Sequence, residues 1–141
     1  MFSFELTNLR VRYADTDQMG YVYYGNYARF YEIARTDALR AIGLRYKDME
    51  DDGVMMPVYE NYSRFHQPAK YDELLTIRVF VKTMPAVRAV FNYEIFNEEG
   101  KLIHEGETTL VFVNVHTNRP VKAPPLFVEK MQKYFQPPHA Q

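Results

Sequence analysis

The sequence predicts an α+β fold in which a curved antiparallel sheet of about five strands wraps around one long helix. Three observations carry this expectation. Residues 26–42 have helical periodicity throughout, and the segments after them alternate apolar and polar residues with a period of two. Only the connection that holds the helix is long enough to join parallel strands, so the other strand pairs are antiparallel. Burying both the helix and one face of the sheet then favours wrapping the second around the first.

The elements follow in order. Phe4 to Tyr13 reads as a strand, with Leu9, Val11 and Tyr13 on one face and Arg10 and Arg12 on the other. Residues 14–25 hold two Asp, one Thr and two Gly and read as a loop. In the helix, Tyr27, Phe30, Tyr31, Ala34, Ala38 and Ile42 form a buried stripe that Ala28, Ile33 and Leu39 widen. Arg29, Glu32, Thr36 and Arg40 make the polar stripe, with Arg29–Glu32 and Glu32–Arg35 spaced for pairing. Gly43 suits the left-handed position that ends a helix.

Such a helix is about 25 Å long, the length of seven or eight strand residues rising about 3.3 Å each. A short helical stretch is expected over 46–52, then strands over 54–66, 75–82, 87–96 and 102–115. Pro68 and Asp72 bracket a turn, Asn97 to Gly100 is a hairpin turn, and Thr117 to Pro120 stops the last strand. Residues 125–135 suit a short terminal helix. Phe80, Val90, Phe96 and Phe112 are expected on the sheet face opposite the core, covered by another subunit.

Composition narrows the function classes. Residues 1–141 suit one domain, which at this length buries roughly 70% of its unfolded surface. Cysteine is absent, so there is no thiolate nucleophile, disulfide or cysteine metal site. The four histidines have neither i, i+4 nor clustered spacing, so no metal is expected, and no cofactor. Seventeen basic and eighteen acidic residues are intermixed, which argues against a nucleic-acid partner. The N-terminus has no basic or apolar leader pattern. No apolar run approaches the ~20 residues that span a bilayer. A cytoplasmic protein with no membrane partner is the expectation.

The chemistry is expected between Tyr13 and Tyr27. Asp15 and Asp17 lie two residues apart in a loop with Gly20 and Gly25, and a helix N-terminus follows. That end offers unpaired N–H groups and a partial positive charge. A carboxylate beside it supplies the two parts of acyl hydrolysis, a nucleophile or base and donors for an oxyanion. Each acid alone reads as a turn residue, and Asn26 as a helix cap; the combination makes the chemical reading. A calcium loop fails at Met19 and Asn26, where acids are needed. A phosphatase-type D-x-D would follow an apolar strand, which Arg10-Val11-Arg12-Tyr13 is not.

Asp15, Asp17, Gly20, Val22, Tyr23 and Tyr27 fit the pattern D-x-D-x-x-G-x-V-Y-x-x-x-Y, which resembles the signature of hotdog-fold thioesterases. Within that fold it is most similar in motif to the 4-hydroxybenzoyl-CoA thioesterase family, including its bacterial short-chain acyl-CoA relatives linked to the Tol–Pal system. The likeness continues through residues 30–36 and 67–74 and covers roughly 10–115. It implies a hotdog fold, an acyl-CoA substrate, and a homodimer or homotetramer with active sites between subunits. It also implies Asp17 as catalytic carboxylate, Tyr24 as the residue whose N–H polarises the carbonyl, Gly25 as the next donor, and Asp15 as a loop-shaping residue.

One position departs from that pattern: many short-chain relatives have His where this chain has Tyr24. A backbone donor survives the change, whereas substrate choice is affected, as it is by the bulk of Tyr21. Arg88, Lys82, Arg64 and Lys70 are candidates for the CoA phosphates, none singled out. Glu32 belongs to the helix's charged stripe, and His66 has no assigned role. The competing functions are a hotdog dehydratase or hydratase, whose helix-region His is missing from 26–42, and a non-catalytic acyl-CoA or acyl-carrier binding module.

Overall fold

The computed structural model describes residues 1–135. Strand β1 (Phe2–Arg10) leads into the loop, and α1 (Tyr27–Ala41) follows a 3-10 turn at Tyr24–Asn26. Then come α2 (Tyr46–Asp51), β2 (Val54–Met55), β3 (Val58–Phe65), β4 (Leu74–Val81), β5 (Arg88–Phe96), β6 (Leu102–Val111), β7 (Val113–Asn114) and α3 (Pro125–Met131). Five strands form one antiparallel sheet in the order β1-β4-β5-β6-β3, and β2 pairs with β7 beside it. This is the hotdog arrangement, a sheet curved around one helix.

The helix ends as expected. Gly43 takes φ +84°, and Leu44 N–H reaches back to the Leu39 carbonyl, satisfying an end carbonyl. Tyr27, Phe30, Tyr31, Ala34, Ala38 and Leu39 face the sheet and are buried with Ile77, Val79, Phe91, Tyr93 and Ile95. Tyr31 stacks on Tyr93 with ring centroids 4.3 Å apart. The hairpin turn also holds: Gly100 has φ +78°, and Asn97 Oδ1 accepts from Glu99 and Lys101 N–H.

Several expectations are corrected. The strand over 54–66 is two strands, because Pro57 has no N–H to give to a ladder. The last long strand breaks at Phe112, whose side chain turns inward. Phe112 is fully buried, 5.0 Å edge-on to Phe127 of α3, and needs no second subunit. Phe80 and Phe96 are half-buried, with the cations of Lys82 and Arg78 over their rings. The first strand ends at Arg10, so Val11 is buried while Tyr13 sits in a 3-10 turn, 80% exposed. Neither helix pair forms among the described residues. Arg29 turns to Asp15, and Arg35 is buried, donating to the hydroxyls of Tyr46 and Tyr93.

A buried polar cluster ties α1 to the far side of the sheet. The Tyr31 hydroxyl meets Ser63 Oγ (2.6 Å) and His104 Nε2, and His104 stacks on Tyr27 at 4.0 Å. His104 is fully buried, and its Nδ1 has no partner among the described residues. Burial holds its pKa down at about 4, helped by the nearby His66, against an ordinary 6.5. The folded protein therefore keeps His104 neutral where the unfolded chain takes up a proton. This contribution is complete above pH 6.5 and is lost as pH falls toward 4. Between those limits wild type should lose stability on acidification faster than His104→Asn, by up to about 1.4 kcal/mol per pH unit. Parallel unfolding curves at pH 7 and pH 5 for the two proteins would contradict this.

Candidate active site

The loop before α1 is built around Asp15. Its backbone carbonyl accepts from Tyr23 N–H and from Asn26 Nδ2, each at 2.9 Å, which locks the helix entrance. Its carboxylate is buried, accepts from Arg12 N–H at 2.8 Å, and pairs with the Arg29 guanidinium from the first turn of α1. Asp15 is thus a loop-shaping residue. Asn26 spends its side chain on Asp15 and makes no side-chain cap to the helix. Asp15→Ala should cost about 2 kcal/mol, since Arg29 is half exposed and only the Asp15 side is deeply buried. A loss under about 0.5 kcal/mol, the size of an ordinary surface change, would contradict that role.

Asp17 begins a tight turn. Its Oδ1 accepts from Met19 N–H (2.8 Å) and Tyr21 N–H (3.2 Å), and its carbonyl accepts from Gly20, which takes φ +78°. Oδ2 accepts no hydrogen bond among the described residues, and the side chain is half-buried. The turn therefore fixes one carboxylate oxygen and leaves the other available. A bridge from Thr16 to Val22 closes the turn onto the segment that enters Tyr23 and Tyr24, and one from Tyr21 to Lys70 ties it to the connection between β3 and β4.

At the head of α1, the N–H groups of Tyr24 and Gly25 have no acceptor among the described residues, as expected for a helix start. The Tyr23 ring lies over Gly25 so closely that a Cβ there would meet Tyr23 Cε2 at 2.8 Å. A side chain at this position would have to displace the half-exposed Tyr23 ring. Beside these donors opens a cleft of about 150 Å³, lined by Val22, Tyr24, Tyr27, Phe65, His66, Gln67 and Pro68. The Tyr27–His104–Phe65 ring cluster supports its floor.

Tyr24 thus lines the cleft and Gly25 follows it in the chain, with a helix dipole behind them. Asp17 is not one of the residues lining this cleft within one chain; it stands on the adjoining turn. The wall from Phe65 to Pro68 was not legible in the sequence, because it arrives from the end of β3, some 40 residues later. Larger hollows lie elsewhere. One of about 780 Å³ runs between the turn after α2 and residues 121–125, and one of about 640 Å³ lies over Lys82, Arg88 and Asn92 on the outer sheet face. Neither holds the free N–H donors.

Comparison with known proteins agrees with the fold. The model of the thioesterase-like superfamily matches residues 11–131. The chain is 31% identical over 125 residues to the acyl-CoA thioester hydrolase YbgC of Escherichia coli, covering 89% of this chain and 93% of that protein. It is 32% identical over 114 residues to YneP of Bacillus subtilis, covering 81% and 83%. The crystal structure of a DHNA-CoA thioesterase from Staphylococcus aureus superposes with a TM-score of 0.89 at 34% identity, covering 96% of this chain and 92% of that one. This chain belongs to the thioesterase-like superfamily.

Proposed function

We propose that the chain is an acyl-CoA thioesterase, cleaving the thioester to free acid and CoA with Asp17 and the helix-start N–H groups as its machinery. The observation that carries this is the pairing of uncommitted groups on one loop. Among the described residues Asp17 Oδ2 has no partner beside a turn that fixes Oδ1, and the Tyr24 and Gly25 N–H groups have no acceptor at the head of α1. A thioester carbonyl polarised by those N–H groups would gain most where the oxygen becomes anionic, which lowers the barrier rather than only tightening binding. Asp17 then attacks the carbonyl carbon as nucleophile or activates water as base.

The site is proposed to lie between two copies of the chain. β3 is an edge strand whose ladder partners stop at β6, and it exposes Val58, Tyr59, Tyr62 and Phe65. A second β3 would cover both the apolar side chains and the open hydrogen-bonding edge. It would also place the end of each β3, which carries Phe65 of the cleft and leads into His66, at the interface. A cytoplasmic location fits such a substrate and is proposed on the sequence alone.

Thiol release measured across acyl-CoA substrates of different chain length and aromatic character tests the reading. Turnover with at least one of them is expected. Measurable acyl-CoA binding with no thiol released from any would favour a binding module instead. A dehydratase is disfavoured because α1 contains no histidine.

A further inference from the structure

His66 stands in the cleft wall with Tyr24, on the segment that leaves β3. Its Nε2 lies 2.9 Å from Glu105 Oε2 on β6, and Arg64 lies 4.0 Å from the same carboxylate oxygen. Hydrogen bonding to His66, with Arg64 adding to it, holds the Glu105 carboxyl below its usual range, so Glu105 is an ionised acceptor. An ionised carboxylate accepts only, which makes Nε2–H the donor, so that in the neutral imidazole Nδ1 is the nitrogen that carries the lone pair. The result is a base oriented by a third group, set in the wall of a cleft that holds oxyanion donors. As a stabilising contact the pair has little value, because both side chains are about 40% exposed.

The geometry points to His66, oriented by Glu105, as the general base for a second step of the reaction. The assignment rests on the thioesterase reading and takes Asp17 as the nucleophile. In the first step Asp17 Oδ2 bonds to the acyl carbon and the C–S bond breaks. CoA leaves as thiolate and takes a proton from solvent, and an acyl–Asp17 anhydride remains, its acyl oxygen on the Tyr24 and Gly25 N–H groups. In the second step His66 Nδ1 takes a proton from water as the water oxygen bonds to the acyl carbon. The acyl C–O bond to Asp17 breaks, the Asp17 carboxylate is regenerated, and the acid departs, ionised, with the imidazolium proton returned to solvent. The reaction needs no oxidant or other co-reactant.

A role confined to the second step predicts a specific kinetic pattern. With the full chain and its best acyl-CoA substrate, His66→Asn should release one thiol per active site in a rapid burst. Steady turnover should then be at least about 100-fold slower than wild type. Glu105→Gln should show the same burst with a smaller loss, about tenfold, and added imidazole should restore part of the turnover of His66→Ala. Steady turnover of His66→Asn within threefold of wild type would overturn the assignment. So would loss of burst and turnover together, which would place His66 in the first step or in binding. The Asp17 reading fails separately, if Asp17→Asn itself turns over at the wild-type rate.

Discussion

Asp17→Asn should lower kcat by roughly 10³-fold, the loss typical when an acid–base or nucleophilic group is removed, with KM little changed. The substitution is suited to the question because of how the turn is made. Oδ1 accepts from Met19 and Tyr21 N–H, and a carboxamide oxygen can keep both bonds. The turn should survive, and with it the bridges to Val22 and Lys70. What is lost is the second oxygen as an anion. A change in kcat without a matching change in KM marks an interaction made only in the transition state. Steady-state kinetics beside a thermal melt separates the outcomes: a folded variant with near-wild-type kcat would remove Asp17 from the mechanism.

Gly106→Ala should be the most damaging small substitution for stability. Gly106 sits in β6 where the Tyr31 ring crosses the sheet, and a Cβ there would lie 2.3 Å from Tyr31 Cζ and its hydroxyl. Both surfaces are fixed. The Gly106 backbone pairs with Tyr93 and Ser63, and Tyr31 is fully buried, stacked on Tyr93 and bonded to Ser63 and His104. Relieving the overlap means moving Tyr31 and losing those contacts. The expected cost is about 3 kcal/mol, a fall in Tm of roughly 6–12 °C. A Tm within about 2 °C of wild type would show that the ring has room to yield.

Much of this fold was legible because its periodicities are local. The α1 stripe, its Gly43 stop and the Asn97–Gly100 turn depend on residues a few positions apart, and the structure keeps the stop, the turn and the stripe from Tyr27 to Leu39, while Ala28 is exposed and Ile42 only partly buried. The errors lie where a distant partner decides. Phe112 reads as an outward strand residue until α3 brings Phe127 against it. Arg35 was spaced for a weak surface pair with Glu32. It is instead buried one turn beyond Tyr31, where the Tyr93 and Tyr46 hydroxyls reach it.

The site divides the same way. Asp17, Tyr24 and Gly25 lie within nine residues, so loop-then-helix reasoning could propose them together. The departure at Tyr24 pointed to a changed cleft but not to what faces it. Phe65, His66 and the carboxylate of Glu105 are brought there by the β3–β6 pairing. No spacing in the chain encodes that meeting.

In the proposed mechanism the helix-start N–H groups hold the thioester carbonyl within reach of Asp17. Isotope-edited infrared spectroscopy of a ¹³C-labelled acyl-CoA bound to Asp17→Asn measures this directly, because the slow variant keeps the substrate intact. A carbonyl stretch at lower wavenumber than for the same thioester free in water is expected, as two backbone donors polarise the bond. A stretch unchanged or raised on binding would place the carbonyl away from Tyr24 and Gly25 and contradict the mechanism.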